Sequence, residues 1–209
     1  MKRLSVICLG LVVILLQSCS TDSNPVNSSN NTANLYFPLT NGSTWLYSTN
    51  MSVQITNTVV GDSVVVGTTY KKVEGAYVGG TTKQYSCARN VGDGVNMPKF
   101  DQNGVMRDIV WLKDNVKVGD TWSYLSNDSG QESFYEFSCL QTGIQRTVRS
   151  KTYSDVICMK TVLGFNFAGK RLLAGTVTTY FAKGIGMIEQ TATSQTQTQT
   201  MELESYTIK

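Results

Sequence analysis

From residue 35 to residue 209, no window of twelve or more residues places apolar side chains at i, i+3, i+4 and i+7. This missing period constrains the fold more than any motif does. An amphipathic helix needs that stripe to bury one face, whereas a half-buried strand needs only alternation. Composition points the same way. After Ser18 the chain holds 25 Thr, 19 Val, 7 Ile and 10 Tyr, against 10 Leu, 7 Ala and 6 Glu. β-Branched and aromatic side chains fit a pleated surface, while Leu, Ala and Glu favour helices. Ser133-Phe134-Tyr135-Glu136-Phe137 alternates around one face, and Thr176 to Phe181 reads as a strand. Thr191 to Thr200 alternates Thr with small or amide residues. As a strand it would be solvated on both faces or lie at an edge, with weakly specified register. Turn signals at Asn41-Gly42, Gly61-Asp62, Gly79-Gly80, Gln102-Asn103-Gly104, Asp128-Ser129-Gly130 and Ala168-Gly169 punctuate the runs. The expected class is all-β, an antiparallel sandwich or a partly open barrel, with only the signal segment helical.

The two halves of the chain echo each other. Gly42-Ser43-Thr44-Trp45-Leu46-Tyr47 parallels Gly119-Asp120-Thr121-Trp122-Ser123-Tyr124. Gly67-Thr68-Thr69-Tyr70 parallels Ser150-Lys151-Thr152-Tyr153, and Tyr85 with Ala88 to Gly92 parallels Tyr180 with Ala182 to Gly186. The order fits two internal repeats, residues 36–95 and 111–188. Gly42 and Gly119 permit a tight turn, and the Trp and Tyr that follow share one strand face. Asn90 and Gly184 stand at equivalent places, and both tolerate left-handed backbone.

The start of the chain is an address. Lys2 and Arg3 precede an apolar run of 13 residues, Leu4 to Leu16. A membrane span needs about 20 residues, whereas a signal h-region needs about 7–15. Leu16-Gln17-Ser18-Cys19 follows. It resembles a bacterial lipobox, with an aliphatic residue at −3, a small one at −1 and Cys at +1; Gln17 departs from the strictest pattern. The resemblance implies diacylglycerol on the Cys19 thiol, cleavage after Ser18 and acylation of the new amine. Several acyl chains on one residue anchor stably where one does not. Ser20 in place of Asp implies sorting to the outer membrane, on its periplasmic face or at the cell surface. Residues 20–34, STDSNPVNSSNNTAN, have only Val26 and Ala33 as apolar residues. They read as a flexible linker that cannot offset its ordering entropy. The expected division is a signal peptide over 1–18, anchor and linker over 19–34, and one β domain over 35–209.

Tyr36-Phe37-Pro38-Leu39 followed by Gly42, Trp45 and Tyr47 resembles the opening of many small bacterial envelope lipoproteins of unknown function. Tyr180-Phe181-Ala182-Lys183-Gly184-Ile185-Gly186 is similar to a later segment of theirs. This likeness covers most of residues 36–190 and implies no activity.

Charge and missing residues exclude much. Removing Lys2 and Arg3 from the 18 basic residues leaves 16 against 15 acidic ones, with no basic run. Nucleic acid is therefore not an expected partner, since its binding gathers affinity from several phosphate contacts. The chain has no histidine. Ser-His-Asp and Cys-His catalysis in their usual forms fall away, as do His-ligated metal sites. Paired-carboxylate hydrolysis remains formally open, but no acid stands in a telling context. Asp101-Gln102-Asn103-Gly104 lacks the later ligands of a calcium loop and reads as a hairpin turn. No metal and no cofactor is expected.

Cys87, Cys139 and Cys158 read as buried, inert thiols. Three strands over 132–142, 144–150 and 155–163 would place Cys139 and Cys158 about 9.6 Å apart, beyond the roughly 7 Å that a disulfide tolerates. No disulfide is expected. Trp45, Trp111 and Trp122 with ten Tyr read as core, with a sugar-stacking platform as the alternative. In Leu163 to Gly169, Phe165 and Phe167 meet a glycine turn; they are core, or, if that turn is exposed, a contact for a partner or membrane.

The resulting expectation is a non-enzymatic β domain anchored to the outer membrane through Cys19. It binds a small molecule or glycan, or supports an envelope assembly. The alternative is a lipid or lipoprotein carrier with an apolar cavity in an open barrel, and a carboxylate-based hydrolase comes last. A concave aromatic pocket would favour binding; a filled interior with an exposed apolar edge would favour assembly.

Overall fold

The computed structural model describes residues 35–92, 94–100, 105–128 and 131–209. The signal segment, the linker and Cys19 lie outside the described residues, as do Asp101 to Gly104 and Ser129-Gly130. Twelve strands follow in order: β1 (Thr44–Thr49), β2 (Gln54–Val65), β3 (Thr68–Tyr77), β4 (Lys83–Val91), β5 (Gly94–Phe100), β6 (Met106–Lys113), β7 (Thr121–Asp128), β8 (Gln131–Val148), β9 (Lys151–Phe167), β10 (Lys170–Ala182), β11 (Gly186–Ser194) and β12 (Thr198–Thr207). All belong to one antiparallel sheet ordered β6-β5-β4-β3-β2-β1-β12-β11-β10-β9-β8-β7. The meander curls into a nearly closed barrel, the partly open form of the two expected architectures. β6 and β7 are its two edges, and no backbone ladder joins them among the described residues.

Local chemistry explains the hairpins. Val66-Gly67, Arg149-Ser150 and Ala168-Gly169 are two-residue turns with both residues left-handed, at φ 47 and 74, 47 and 67, and 49 and 73. Such turns match the right-handed twist of the strands they join. The echoed blocks fall at corresponding places: Trp45 and Trp122 are each second in their strand, and Gly67 and Ser150 each close a turn before a buried Tyr, Tyr70 or Tyr153.

Several expectations are corrected. Thr191 to Thr200 is not one polar strand; it spans the turn between β11 and β12, both central in the sheet. Its register is set, with Thr191 opposite Thr200 and Thr193 opposite Thr198. Gly61-Asp62 is a bulge inside β2, where the ladder to β3 slips between Val59 and Gly61. The left-handed residue near Asn90 is Gly92 at φ 59, while Asn90 stays in the β4–β5 ladder opposite Val95. The three strands expected over 132–163 are two. Gly143 is left-handed at φ 63, but it sits where β8 bulges rather than where it turns. A bulge absorbs extra residues by bending one strand without ending it.

The β4–β5 ladder holds only from Val91–Gly94 to Arg89–Asn96. Pro98 follows and offers no N–H to extend it. Beyond that point β5 is paired with β6 alone, and this hairpin peels away. Asp108 on β6 ties it back: it accepts from the Tyr70 hydroxyl on β3 and Asn96 Nδ2 on β5, each at 3.0 Å, and pairs with Arg89 on β4.

On the far side, the β8–β9 tip lies across neighbouring strands. Arg146 meets Glu189 of β11 through two hydrogen bonds of 2.8 Å and covers the Tyr180 ring at 4.1 Å. Arg149 reaches Ser48 of β1 at 2.6 Å and Glu204 of β12 at 3.2 Å. Glu202, Glu189, Tyr180 and Cys158 are successive cross-strand partners, so they share one face; this strap lies across that row, with Glu189 and Cys158 buried and Tyr180 and Glu202 partly covered. The adjacent row, Met201, Gln190, Thr179 and Met159, faces inward.

Candidate functional site

The chain enters at one end of the barrel. Leu35 O accepts from Gly184 N at 2.8 Å, and Tyr36 N donates to Asp114 Oδ1 at 2.9 Å. These contacts seat Tyr36-Phe37-Pro38-Leu39 as a plug. Phe37 stacks on Trp45 with centroids 6.0 Å apart, and meets Trp111 edge-on at 5.1 Å and Phe181 at 6.4 Å. Trp45 closes the same end by donating Nε1–H to Ile185 O at 2.6 Å. Tyr47, fully buried beside it, donates to Met187 O at 3.1 Å, and burial pushes its phenol well above the ordinary range.

Above this plug lie two cavities. The first, about 140 Å³, is lined by Phe37, Trp45, Tyr47, Met97, Trp111 and Met201, with Asn57, Gln84 and Gln190 as polar groups. It extends to Tyr77 and Thr82 beside the β3–β4 turn, at the opposite end from the plug. The second, about 100 Å³, is lined by Trp111, Phe137, Met159, Leu163 and Phe181, with Thr161, Thr179, Gln190 and Lys99. Trp111 and Gln190 belong to both, so they partition one lumen into two lobes. No Asp or Glu lines either lobe.

Sequence reasoning named Trp45, Trp111 and Trp122 together, and the structure separates their roles. Trp45 is core at 2% exposure. Trp111 is the partition. Trp122, half-buried at the β7 edge, donates Nε1–H across to Val110 O of β6 at 3.0 Å and stacks on Phe137 at 5.4 Å. The alternating segment of β8 serves two faces rather than one. Tyr135 and Phe137 face the lumen, while Phe134 lies against Arg171 at 3.8 Å on the other side. Gly164 makes room there, since a Cβ would overlap the Phe134 ring and the Leu172 carbonyl. The Ala168-Gly169 turn is exposed and carries Phe167 with it at 64%. The polar lumen residues Gln190 and Asn57 escaped notice because inward amides look like outward ones until register is known.

Cys139 and Cys158 lie on adjacent strands, not separated by a third, with Cys139 opposite Met159 and Cys158 opposite Gln141. Both are free and buried, and burial pushes both thiols up. Cys87 is disulfide-bonded, against the expectation of no disulfide. Among the described residues no cluster of three or more Cys, Asp or Glu could hold a metal, and no helix is long and apolar enough to cross a membrane. The carboxylates are engaged elsewhere: Glu74 with Lys83 at 2.9 Å, Asp62 with Lys71 at 2.5 Å, Glu136 with Arg171 at 2.6 Å. Lys83 beside Glu74 holds that carboxyl below its usual range.

No family model matches this chain, and no curated protein matches it. Two solved structures are similar in fold. One is a candidate lipoprotein from Parabacteroides distasonis, 12% identical, with a TM-score of 0.53 over 83% of this chain and 98% of that one. The other is a candidate exported protein with a YmcC-like fold from Bacteroides fragilis, 11% identical, with a TM-score of 0.54 over 83% of this chain and 99% of that one.

Proposed function

We propose that this chain is a lipoprotein, anchored to the outer membrane through Cys19, whose barrel binds a narrow apolar or amphiphilic ligand without chemically altering it. One observation carries the binding part: an aromatic-lined lumen of two lobes meeting at Trp111 and Gln190. A cavity of about 150 Å³ takes a benzene-sized molecule. Lobes of 140 and 100 Å³ therefore suit one slender chain rather than a bulky glycan. The lining favours the same class, apolar rings and thioethers with a few amides and hydroxyls and no carboxylate that could act as acid or base. The lipobox reading of Leu16 to Cys19 and the fold shared with a candidate lipoprotein and a candidate exported protein support the address. A lipid carrier is the second reading, favoured by the opening of the sheet between β6 and β7.

Solvent extraction of the purified full-length protein followed by mass spectrometry tests the binding. The expected result is a co-purified apolar molecule near one per chain. An empty extract, together with no rise in the fluorescence of added N-phenyl-1-naphthylamine, would sink the reading. For the address, Cys19→Ala should abolish labelling by radioactive palmitate, and equal labelling of mutant and wild type would refute it. Cys139 and Cys158 are free and buried, so both should react with a thiol reagent only once the chain is unfolded.

A further inference from the structure

Among the described residues, the ring of strands has an interruption between β6 and β7. A crevice of about 600 Å³ runs along it, lined by Met106 to Val110 and Lys113 on one side and Trp122 to Tyr124 on the other. Behind it is the second lobe of the lumen. Ile109 lines both the crevice and that lobe. Phe137, on which Trp122 stacks, lines the lobe as well. The crevice and the lumen are thus separated by side chains, not by a backbone ladder. Trp122 bridges the gap by its bond to Val110 O, with the Lys113 ammonium over its ring at 4.7 Å.

The crevice lining is mixed, with Met106, Ile109, Val110 and Trp122 as its apolar part and Arg107, Asp108 and Lys113 as its charged part. Val110, in the crevice wall, is 37% exposed, and Val105 and Leu125, next in sequence to lining residues Met106 and Tyr124, are 51% and 58% exposed. Of the charged side chains lining the crevice, Arg107 and Lys113 are basic and Asp108 is acidic. Lys99 is the one charged side chain lining either lobe, and its cross-strand partner Arg107 lines the crevice. Opposed residues on an antiparallel pair point to the same face, so Lys99 and Arg107 share a face where the crevice meets the lumen. Asp108, which also lines the crevice, pairs with Arg89 and accepts from the Tyr70 hydroxyl.

We propose that the β6–β7 seam is a lateral port, through which one acyl chain of an anionic single-chain amphiphile slides into the second lobe. Trp122 is the latch and Lys99 the partner of the head group. The inference rests on the ligand-binding reading above and adds the route and the ligand class. The physical case is economy of desolvation. A closed barrel would force the chain through water to reach an end mouth. A slit with an apolar stretch at Ile109, Val110 and Trp122 lets the chain pass sideways while its charged head stays at the solvent edge and avoids the cost of burial. Among the described residues only side chains have to move for the latch to open, because β6 and β7 share no ladder there to break.

Stopped-flow binding of two probes to the full-length protein tests this: 11-(dansylamino)undecanoate, an anionic chain, and N-phenyl-1-naphthylamine, a neutral one. Trp122→Ala should speed uptake of both about tenfold while changing affinity less. Trp122→Phe keeps a ring against Phe137 and loses the bond to Val110, so it should fall between. It carries the test if the alanine variant does not fold. Lys99→Met should weaken the anionic probe about tenfold, the size of one charge-assisted hydrogen bond, and leave the neutral probe unchanged. If both probes bind the wild type but none of these changes appears, the port is wrong and the binding reading stands. If neither probe binds the wild type, both fall. Dimerisation of the Trp122 variants with unaltered probe kinetics would make the seam a strand-pairing edge and overturn the port.

Discussion

The barrel has two places where the first strand of one six-stranded run meets the last strand of the other, and they are built differently. At the first, β1 pairs with β12 from Thr44–Thr207 to Thr49–Met201, with one bulge. Trp45 closes it from inside and the β8–β9 strap crosses it from outside, Arg149 touching both strands. At the second, β7 faces β6 with no ladder among the described residues, and Trp122 reaches across to a carbonyl. The two tryptophans stand at the same place in echoed blocks, and each donates its indole N–H to a backbone oxygen. One bond is a detail of a sealed core; the other spans a gap. What differs is the neighbour strand. β12 is held flat beside β1 by β11, whereas β6 belongs to a hairpin that leaves the sheet after Asn96, where Pro98 can donate nothing to β4.

The largest test is the tryptophan pair. Trp45→Ala empties a site that is 2% exposed and should cost about 3–5 kcal/mol in urea unfolding. Trp122→Ala removes a half-buried ring and one hydrogen bond, so about 1–2 kcal/mol is expected. Equal losses would mean that the two junctions are equally sealed and would break the comparison. Hydrogen exchange sharpens it further. Amides of β1 and β12 should open only with global unfolding, and those of β6 and β7 through local events.

Alkaline pH gives a smaller effect centred on the open side. Burial, with the Asp108 carboxylate beside it, pushes the Tyr70 phenol from its ordinary 10.0 up to about 12. The unfolded chain therefore loses this proton first, so the contribution is complete below pH 10 and fades as pH rises through about 12. The loss should be on the order of 1 kcal/mol, and absorbance at the phenolate band would follow it. In Tyr70→Phe that part of the alkaline slope should vanish; an unchanged slope would show that Asp108 does not depend on Tyr70 to hold β6.

The smallest effect is expected at the strap. Arg149 is 45% exposed in its pairs with Glu202 and Glu204. Arg149→Ala should cost at most about 1 kcal/mol, with salt removing most of the difference. A larger, salt-independent loss would mean that the strap, rather than the β1–β12 ladder, seals the first junction.

The strands were legible where alternation met turn chemistry, as at Ala168-Gly169 and Asn41-Gly42. They were misread where a glycine marked a bulge. Gly61 and Gly143 look like turns in sequence because both features call for unusual backbone, and only pairing tells them apart. The candidate site was less legible still. Trp111, Gln190 and Met201 come from three strands that are distant in the chain, and nothing local says that they converge. Trp122 looked like Trp45 because its own neighbours are the same.

Fold class, the places of most hairpins and the inward tryptophan of each half were determined by the sequence alone. They follow from short-range effects: side-chain branching, period and left-handed turn residues act within a few positions. Whether the sheet closed, where it stayed open and which inward faces left a lumen were decided by tertiary structure. Those depend on the summed twist of twelve strands, on the early end of the β4–β5 ladder near Pro98, and on how far side chains from both halves fill the space between them. A gap between two edges is a property of neither edge's sequence, because it exists only once all the other strands are in place.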